Sequence, residues 1–242
     1  MSWRSTTNKV SWVAFGTLAI AIGLYPLVYL AMDRDMGLLG SKSDELLAQA
    51  SWQVAFYGHI ALGGLSLLVG WTQFSRRIRR KYLSWHRRLG TIYLLAVLIS
   101  GSCAIFLSFY ATGGWVPGLG FFLLGVFWIY FTLRAYRAVL QSDFRQHGHW
   151  MVYSYAACFA AVTLRIWMPL LIFGLGDFLT AYKIVAWLCW VPNLAFAWFW
   201  VRRRGMERGK CLFLGYAAQK NPIREPGFPL PGGTPGCGVG RS

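Results

Sequence analysis

Six stretches of the chain, roughly 10–32, 53–74, 89–110, 117–140, 150–174 and 179–201, are each long and apolar enough to cross a bilayer as a helix. In hydrocarbon every backbone amide must be satisfied within the protein, which for single runs of this kind means an α-helix. The expected fold is therefore an all-α, polytopic membrane bundle of six transmembrane helices. Composition agrees, since 56% of the 242 residues are hydrophobic, 17% aromatic and only 13% charged, where soluble domains carry about 25% charge. That excludes a soluble domain and a disordered chain. The five Cys form no CxxC pair and no half of a zinc site, so a disulfide scaffold is excluded too. The first stretch is longer than a signal-peptide core, and the following AMDRDMGL offers no small-x-small cleavage site, so it reads as a retained helix. No internal repeat is visible.

The 24 Lys and Arg against 8 Asp and Glu give a formal charge of +16, and their placement is lopsided. Arg4 and Lys9 precede the first stretch. The second connection holds Arg76, Arg77, Arg79, Arg80, Lys81, Arg87 and Arg88, the fourth holds Arg134, Arg137 and Arg145, and eight more follow Val201. The opposite face carries only Arg34 and Lys42, beside Asp33, Asp35, Asp44, Glu45 and Asp177. Positive loops stay inside, so both termini are expected to be cytoplasmic, in a multi-pass protein of the cell membrane such as a bacterial inner membrane. The basic charge reads as headgroup contact, with the lipid bilayer and not nucleic acid as partner.

Residues 1–201 are thus expected to form one six-helix domain. The segment 202–242 opens on Arg202, Arg203 and Arg204, then becomes rich in Gly and Pro and reads as a disordered cytoplasmic tail. Within it Cys211 lies near enough to the membrane for acylation. SKSDELLAQASW, in the first outer loop, is suited to a short surface helix capped by Ser41 or Ser43.

Ionisable groups inside a membrane are costly, so each is a functional candidate. All four His, His59, His86, His147 and His149, lie in or at the ends of apolar stretches, with Arg165, Lys183, Gln73 and Asn193 as further polar positions. Helix rise puts His59 about 9 Å below the outer surface and lifts Arg165 about 22 Å from the cytoplasmic end, to a similar level. A second, inner layer holds Gln73, His86, His147 and His149. His59 shares a helical stripe with Gly63, Ser66, Gly70 and Gln73, and His86 shares one with Gly90, Tyr93, Val97 and Gly101. Small residues under a His leave room for a macrocycle whose iron the imidazole ligates. Equally, such glycines let two helices pack closely. Both readings stand at this point.

His86 and His147 are the candidate axial ligands of one b-type haem near the cytoplasmic face. Arg87 and its basic neighbours Arg80, Lys81, Arg88 and Arg145 would serve the propionates. A three-His metal site of His86, His147 and His149 is a further option, weakened because residues two apart face different ways on a helix. The plain reading is that these are headgroup contacts. His59 is open to three roles: lone axial ligand, proton acceptor for a quinol, or buried polar residue. Arg165 keeps its charge and needs a carboxylate, carbonyl, water or anionic ligand. Asp33, Asp35 and Asp177 are its protein candidates, and no Asp or Glu lies within the spans. Cys103, Cys158 and Cys189 read as packing residues, Lys183 as a snorkelling one. Pro169 and Pro192 are expected to interrupt their helices, with Asn193 meeting a freed carbonyl. No phosphate loop, nucleophile elbow, carboxylate pair or HExxH is present.

GHIALGGLSLLVGWTQF, the basic loop with WHRRLGTIY, and HGHWMVYSYAACFAAVTLRIWMP together resemble the domain of unknown function 2306 family of predicted multi-pass membrane proteins. The resemblance covers about residues 52–200 and implies that His59, His86, His147 and Arg165 are matched polar positions. His149 and Thr91 depart from the pattern, which has a basic residue at each. More distantly, the bundle is similar to b-type cytochromes, an architectural analogy that carries no function by itself. The first functional expectation is electron transfer through haem b at His86 and His147, with a quinol near His59 and Arg165 and a redox partner opposite. The alternative is a non-redox transporter, or an assembly factor handling metal or haem.

Overall fold

A computed structural model describes residues 3–30 and 39–203. The chain divides into two units, Met1–Ala197 and Trp198–Ser242, and of the second only 198–203 are described. Arg34, Asp33, Asp35, Cys211 and the tail from 204 onward, on which several expectations fell, lie outside the described residues.

The described residues are helical. In chain order they form α1 (Trp3–Leu24), the 3-10 turn Tyr25–Leu30, the short α2 (Asp44–Leu47), α3 (Ala50–Gly70), α4 (Arg76–Lys81), α5 (Leu83–Ser108), α6 (Trp115–Leu140), α7 (Phe144–Cys158), α8 (Ala160–Leu175) and α9 (Phe178–Leu188), followed by a helical stretch over 191–203. Six spans long and apolar enough to cross a membrane result: Trp12–Tyr29, Ala50–Phe74, Leu83–Ser108, Trp115–Leu140, Phe144–Leu175 and Phe178–Arg203. α5 starts six residues earlier than the sequence reading placed it, so His86 sits inside its first turn. Large apolar side chains such as Val54 (73% exposed) and Phe173 (94%) cover the outer surface. A patch of that kind belongs in lipid.

Helix ends follow their local chemistry. Ser43 caps α2 by accepting the Leu46 N–H, as expected. Asp143 caps α7 and Asp177 caps α9, the latter accepting the Thr180 N–H at 2.7 Å. Gly176, at φ 70°, closes α8 in the left-handed conformation that glycine alone adopts without strain.

α3 packs on α5, α5 on α6, and α6 on α7 and α9, while α1 lies against α3 and α8. Tyr93, Leu67, Val97, Trp128, Tyr155 and Val162 form the main core. A hydroxyl chain runs through it. Thr132 gives its proton to the Trp128 carbonyl (2.8 Å), so it accepts from Ser154 (2.6 Å), which in turn accepts from the Tyr93 hydroxyl (2.8 Å). Such interhelical bonds hold helices together where no hydrophobic driving force exists.

The fifth span divides at Phe159, between α7 and α8, whereas α8 runs on through Pro169. Asn193 explains the site of the break. Its amide nitrogen donates to the carbonyl of Ala156 (3.3 Å), the acceptor that the Ala160 N–H takes in an unbroken helix, and to that of Cys189 (2.9 Å). α9 ends at Leu188 in the turn before Pro192, the interruption expected of that proline. Cys103, Cys158 and Cys189 are free thiols in the packing.

Candidate functional site

His59 lies in the first half of α3 and Arg165 in the second turn of α8, and both line one cavity of about 820 Å³ at the end away from the basic loop. Its walls are mostly apolar and aromatic, including Tyr25, Tyr29, Trp52, Phe56 and Tyr182. Volume and lining are those of a pocket for a small molecule. Pro169 and Ile172 belong both to this wall and to the exposed surface of α8, so the wall is thin on that side.

The hydrogen bonds around His59 fix its tautomer. The Ser100 hydroxyl donates to the His59 carbonyl at 2.9 Å. Its oxygen and the Ser100 carbonyl lie 3.0 and 3.1 Å from Nδ1, and both are left as acceptors. Nδ1 therefore carries the proton and Nε2 the lone pair. Gly63 protects this arrangement, because a Cβ there would lie 3.2 Å from the Ser100 hydroxyl. Gly64 does a different job, allowing α3 to approach the Gly23 carbonyl of α1.

Arg165 is bound to its own chain but not neutralised. One terminal nitrogen donates to the Ala161 carbonyl (2.9 Å), and the guanidinium carbon sits 4.4 Å above the Tyr25 ring. Nε is buried without a partner. Among the described residues no ion pair reaches it. Asp177, one of its candidate counterions, is exposed and committed to capping α9. The Trp52 indole N–H, also at the cavity, is a second buried donor without an acceptor. At the mouth Lys42 donates to the Tyr110 carbonyl and to the Thr112 hydroxyl (2.9 Å), and burial lowers its ammonium pKa from the usual lysine range.

The opposite end holds the other candidates. His147 donates Nδ1–H to the Ala135 carbonyl (2.9 Å), leaving Nε2 free, the orientation that iron-ligating imidazoles adopt. His86 is its electrostatic neighbour, with Nδ1 buried and unpartnered, and Arg87 is exposed beside it. Gln73 is 6% exposed. Its amide donates to the Thr72 hydroxyl (3.4 Å), whose proton goes to the Val69 carbonyl, so the buried Oε1 is left without a donor. Among the described residues no three His, Cys, Asp or Glu gather as a metal set, so the three-His option with His149 is not formed.

The glycine stripes resolve in favour of packing. A Cβ at Gly70 would strike the rings of Tyr155 and Tyr93, one at Gly101 would lie 2.7 Å from Ile129, and Gln73 Oε1 lies 3.9 Å from one at Gly90. At Gly70 and Gly101, though not at Gly90, side chains of neighbouring helices already occupy the room a macrocycle needs. The α3 and α5 stripes thus offer no slot for a macrocycle at Gly70 or Gly101.

Sequence reasoning brought out His59 and Arg165 but missed Tyr25, Tyr29, Trp52 and Ser100. Tyr25 and Tyr29 are four apart at the end of the first span, a spacing that puts two polar tips on one face. Lys42 was read only as a loop charge. No curated protein and no solved structure matches the chain. A family described as a predicted membrane protein matches residues 56–201, which include His59, His86, His147 and Arg165 but not Tyr25, Tyr29, Lys42 or Trp52. With that match over more than half its length, and six spanning helices, the chain is an integral membrane protein of the DUF2306 family.

Proposed function

We propose that this protein binds an amphipathic small molecule, drawn from within the bilayer, in the cavity between His59 and Arg165. One observation carries the reading: a guanidinium without a carboxylate partner among the described residues faces a large, mostly apolar cavity. A charge that cannot be shed needs an oxygen acceptor, and the ligand head would supply it. The aromatic walls suit a ring or tail, and the thin wall at Pro169 and Ile172 suits entry from lipid. A quinol passing electrons to a redox partner fits this description, as does a transported amphiphile. The test is mass spectrometry of extracts from protein purified in mild detergent. A molecule that co-purifies with the wild type should be lost from Arg165→Met and retained by Arg87→Met. Equal retention in both variants would refute the cavity as its site.

A second reading places haem b on His86 and His147, with Arg87 at the propionates. It is favoured by the proton on His147 Nδ1, and opposed by the buried, unpartnered His86 Nδ1 and by the filled places at Gly70 and Gly101. When bound, such a haem would supply one-electron transfer. The analogy with b-type cytochrome bundles adds no weight. A reduced-minus-oxidised spectrum lost in both His86→Ala and His147→Ala would establish this reading, and a colourless, folded, haem-supplied wild type would end it.

A further inference from the structure

The cavity holds one acceptor of fixed sense among several donors. His59 Nε2 has its lone pair because Ser100 spends both of its oxygens on Nδ1–H and its own proton on the His59 carbonyl. Arg165 lines the same cavity as a permanent donor, while its Nε and Trp52 Nε1 are buried and unpartnered behind the wall. A ligand with acceptors alone, such as a quinone or an ester, satisfies Arg165 and leaves the His59 lone pair facing no donor. A ligand that bears a hydroxyl beside an acceptor oxygen satisfies both.

We infer that the cavity selects a hydroxyl-bearing aromatic amphiphile, a hydroquinone in preference to its own quinone, with the hydroxyl donated to His59 Nε2 and an oxygen accepting from Arg165. The inference rests on the cavity being a ligand site, and it adds the sense of the hydrogen bonds. Ser100 is a positioning residue in this scheme, since it acts on the ligand through the His59 tautomer. An anionic head, carboxylate or phosphate, would instead require a protonated His59.

The experiment titrates purified full-length protein, in oxygen-free detergent, with a decyl-substituted benzoquinone, with its chemically reduced hydroquinone, and with a fatty acid of similar length. Tryptophan quenching reports binding. The hydroquinone is expected to bind about tenfold or more tightly than the quinone, because an unmet buried acceptor weakens the oxidised form by that order. His59→Leu should bring the ratio to about one, strengthening the quinone, which no longer buries an unmet lone pair, and weakening the hydroquinone, whose hydroxyl loses its acceptor, while Arg165→Met should weaken both forms together. The wild-type ratio needs no variant to fold. Equal affinities, or tighter binding of quinone or fatty acid, would overturn the hydroxyl preference and leave the amphiphile reading standing. No saturable binding of any of the three would overturn both.

Discussion

At one end of the bundle His59 and Arg165 face about 820 Å³ of space, while further along the same α3 stripe, towards Gln73, the rings of Tyr93 and Tyr155 fill the place of a side chain at Gly70. Both ends concentrate polar residues that do not belong in lipid, and by sequence the His86–His147 end is the richer. What separates them is volume beside unmet hydrogen-bonding capacity. A histidine at a membrane boundary has headgroups, water and loop backbone for partners, so its presence alone says little. A guanidinium within the bundle, beside space and, among the described residues, away from carboxylates, has few ways to be satisfied except by a guest.

The sharpest way to break this contrast is to add volume where the packing is claimed to be full. Gly70→Ala should destabilise the protein by about 1–3 kcal/mol in detergent, because the new methyl meets two aromatic rings. Gly148→Ala, with nothing within 4 Å, should stabilise by about 0.5–1 kcal/mol through helix propensity. If thermal unfolding showed Gly70→Ala to be neutral, the packing reading would fail and room for a macrocycle would return.

Next in size is the midplane between the two ends. Ser154→Ala removes the link between Tyr93 and Thr132 and leaves the Tyr93 hydroxyl proton without its acceptor, a loss of about 1–2 kcal/mol. Ligand affinity should not change, since Ser154 does not line the cavity. A drop in affinity equal to the drop in stability would show that the two regions are not separable.

The smallest effect concerns Asp177. Hydrogen bonds from Thr180 hold its carboxyl pKa below the usual 3.8. Its cap therefore contributes full stability above that value and loses it as pH falls through the lowered one. The gap in unfolding temperature between wild type and Asp177→Ala should be constant from neutral pH to about 4 and close in more acidic buffer. A gap that persisted in strong acid would mean that capping by the carboxylate is not what the residue does.

Much of this was legible in the sequence, for identifiable reasons. Apolar length fixed the six spans, and helix rise alone put His59 and Arg165 at one level. The need of a proline-interrupted helix for a donor drew attention to Asn193, which donates to the Ala156 and Cys189 carbonyls, although the carbonyl that Pro192 frees is that of Leu188. Periodicity, however, gives a face and a depth but not the neighbour, so it could not say that Tyr155 fills Gly70 or that Ser100 orients His59. The break in the fifth span was expected at Pro169 and occurs at Phe159, because its cause, Asn193 on Ala156, lies 37 positions away in the chain. Cavities are a property of where side chains fail to meet, which no single segment encodes.

The division at Phe159 also gives α8 a fulcrum. Arg165 stands six residues beyond it, a lever arm of about 9 Å, so tilting α8 by about 10° would carry the guanidinium's Cα through about 1.5 Å. A shift of that size takes a hydrogen bond from Arg165 to anything held by the other helices out of range, whereas its bond to Ala161 lies within α8 and moves with it. On the proposed function, entry of a ligand through the α8 wall and its capture by Arg165 would be one motion, with the grip on the head group set by the angle of a single short helix.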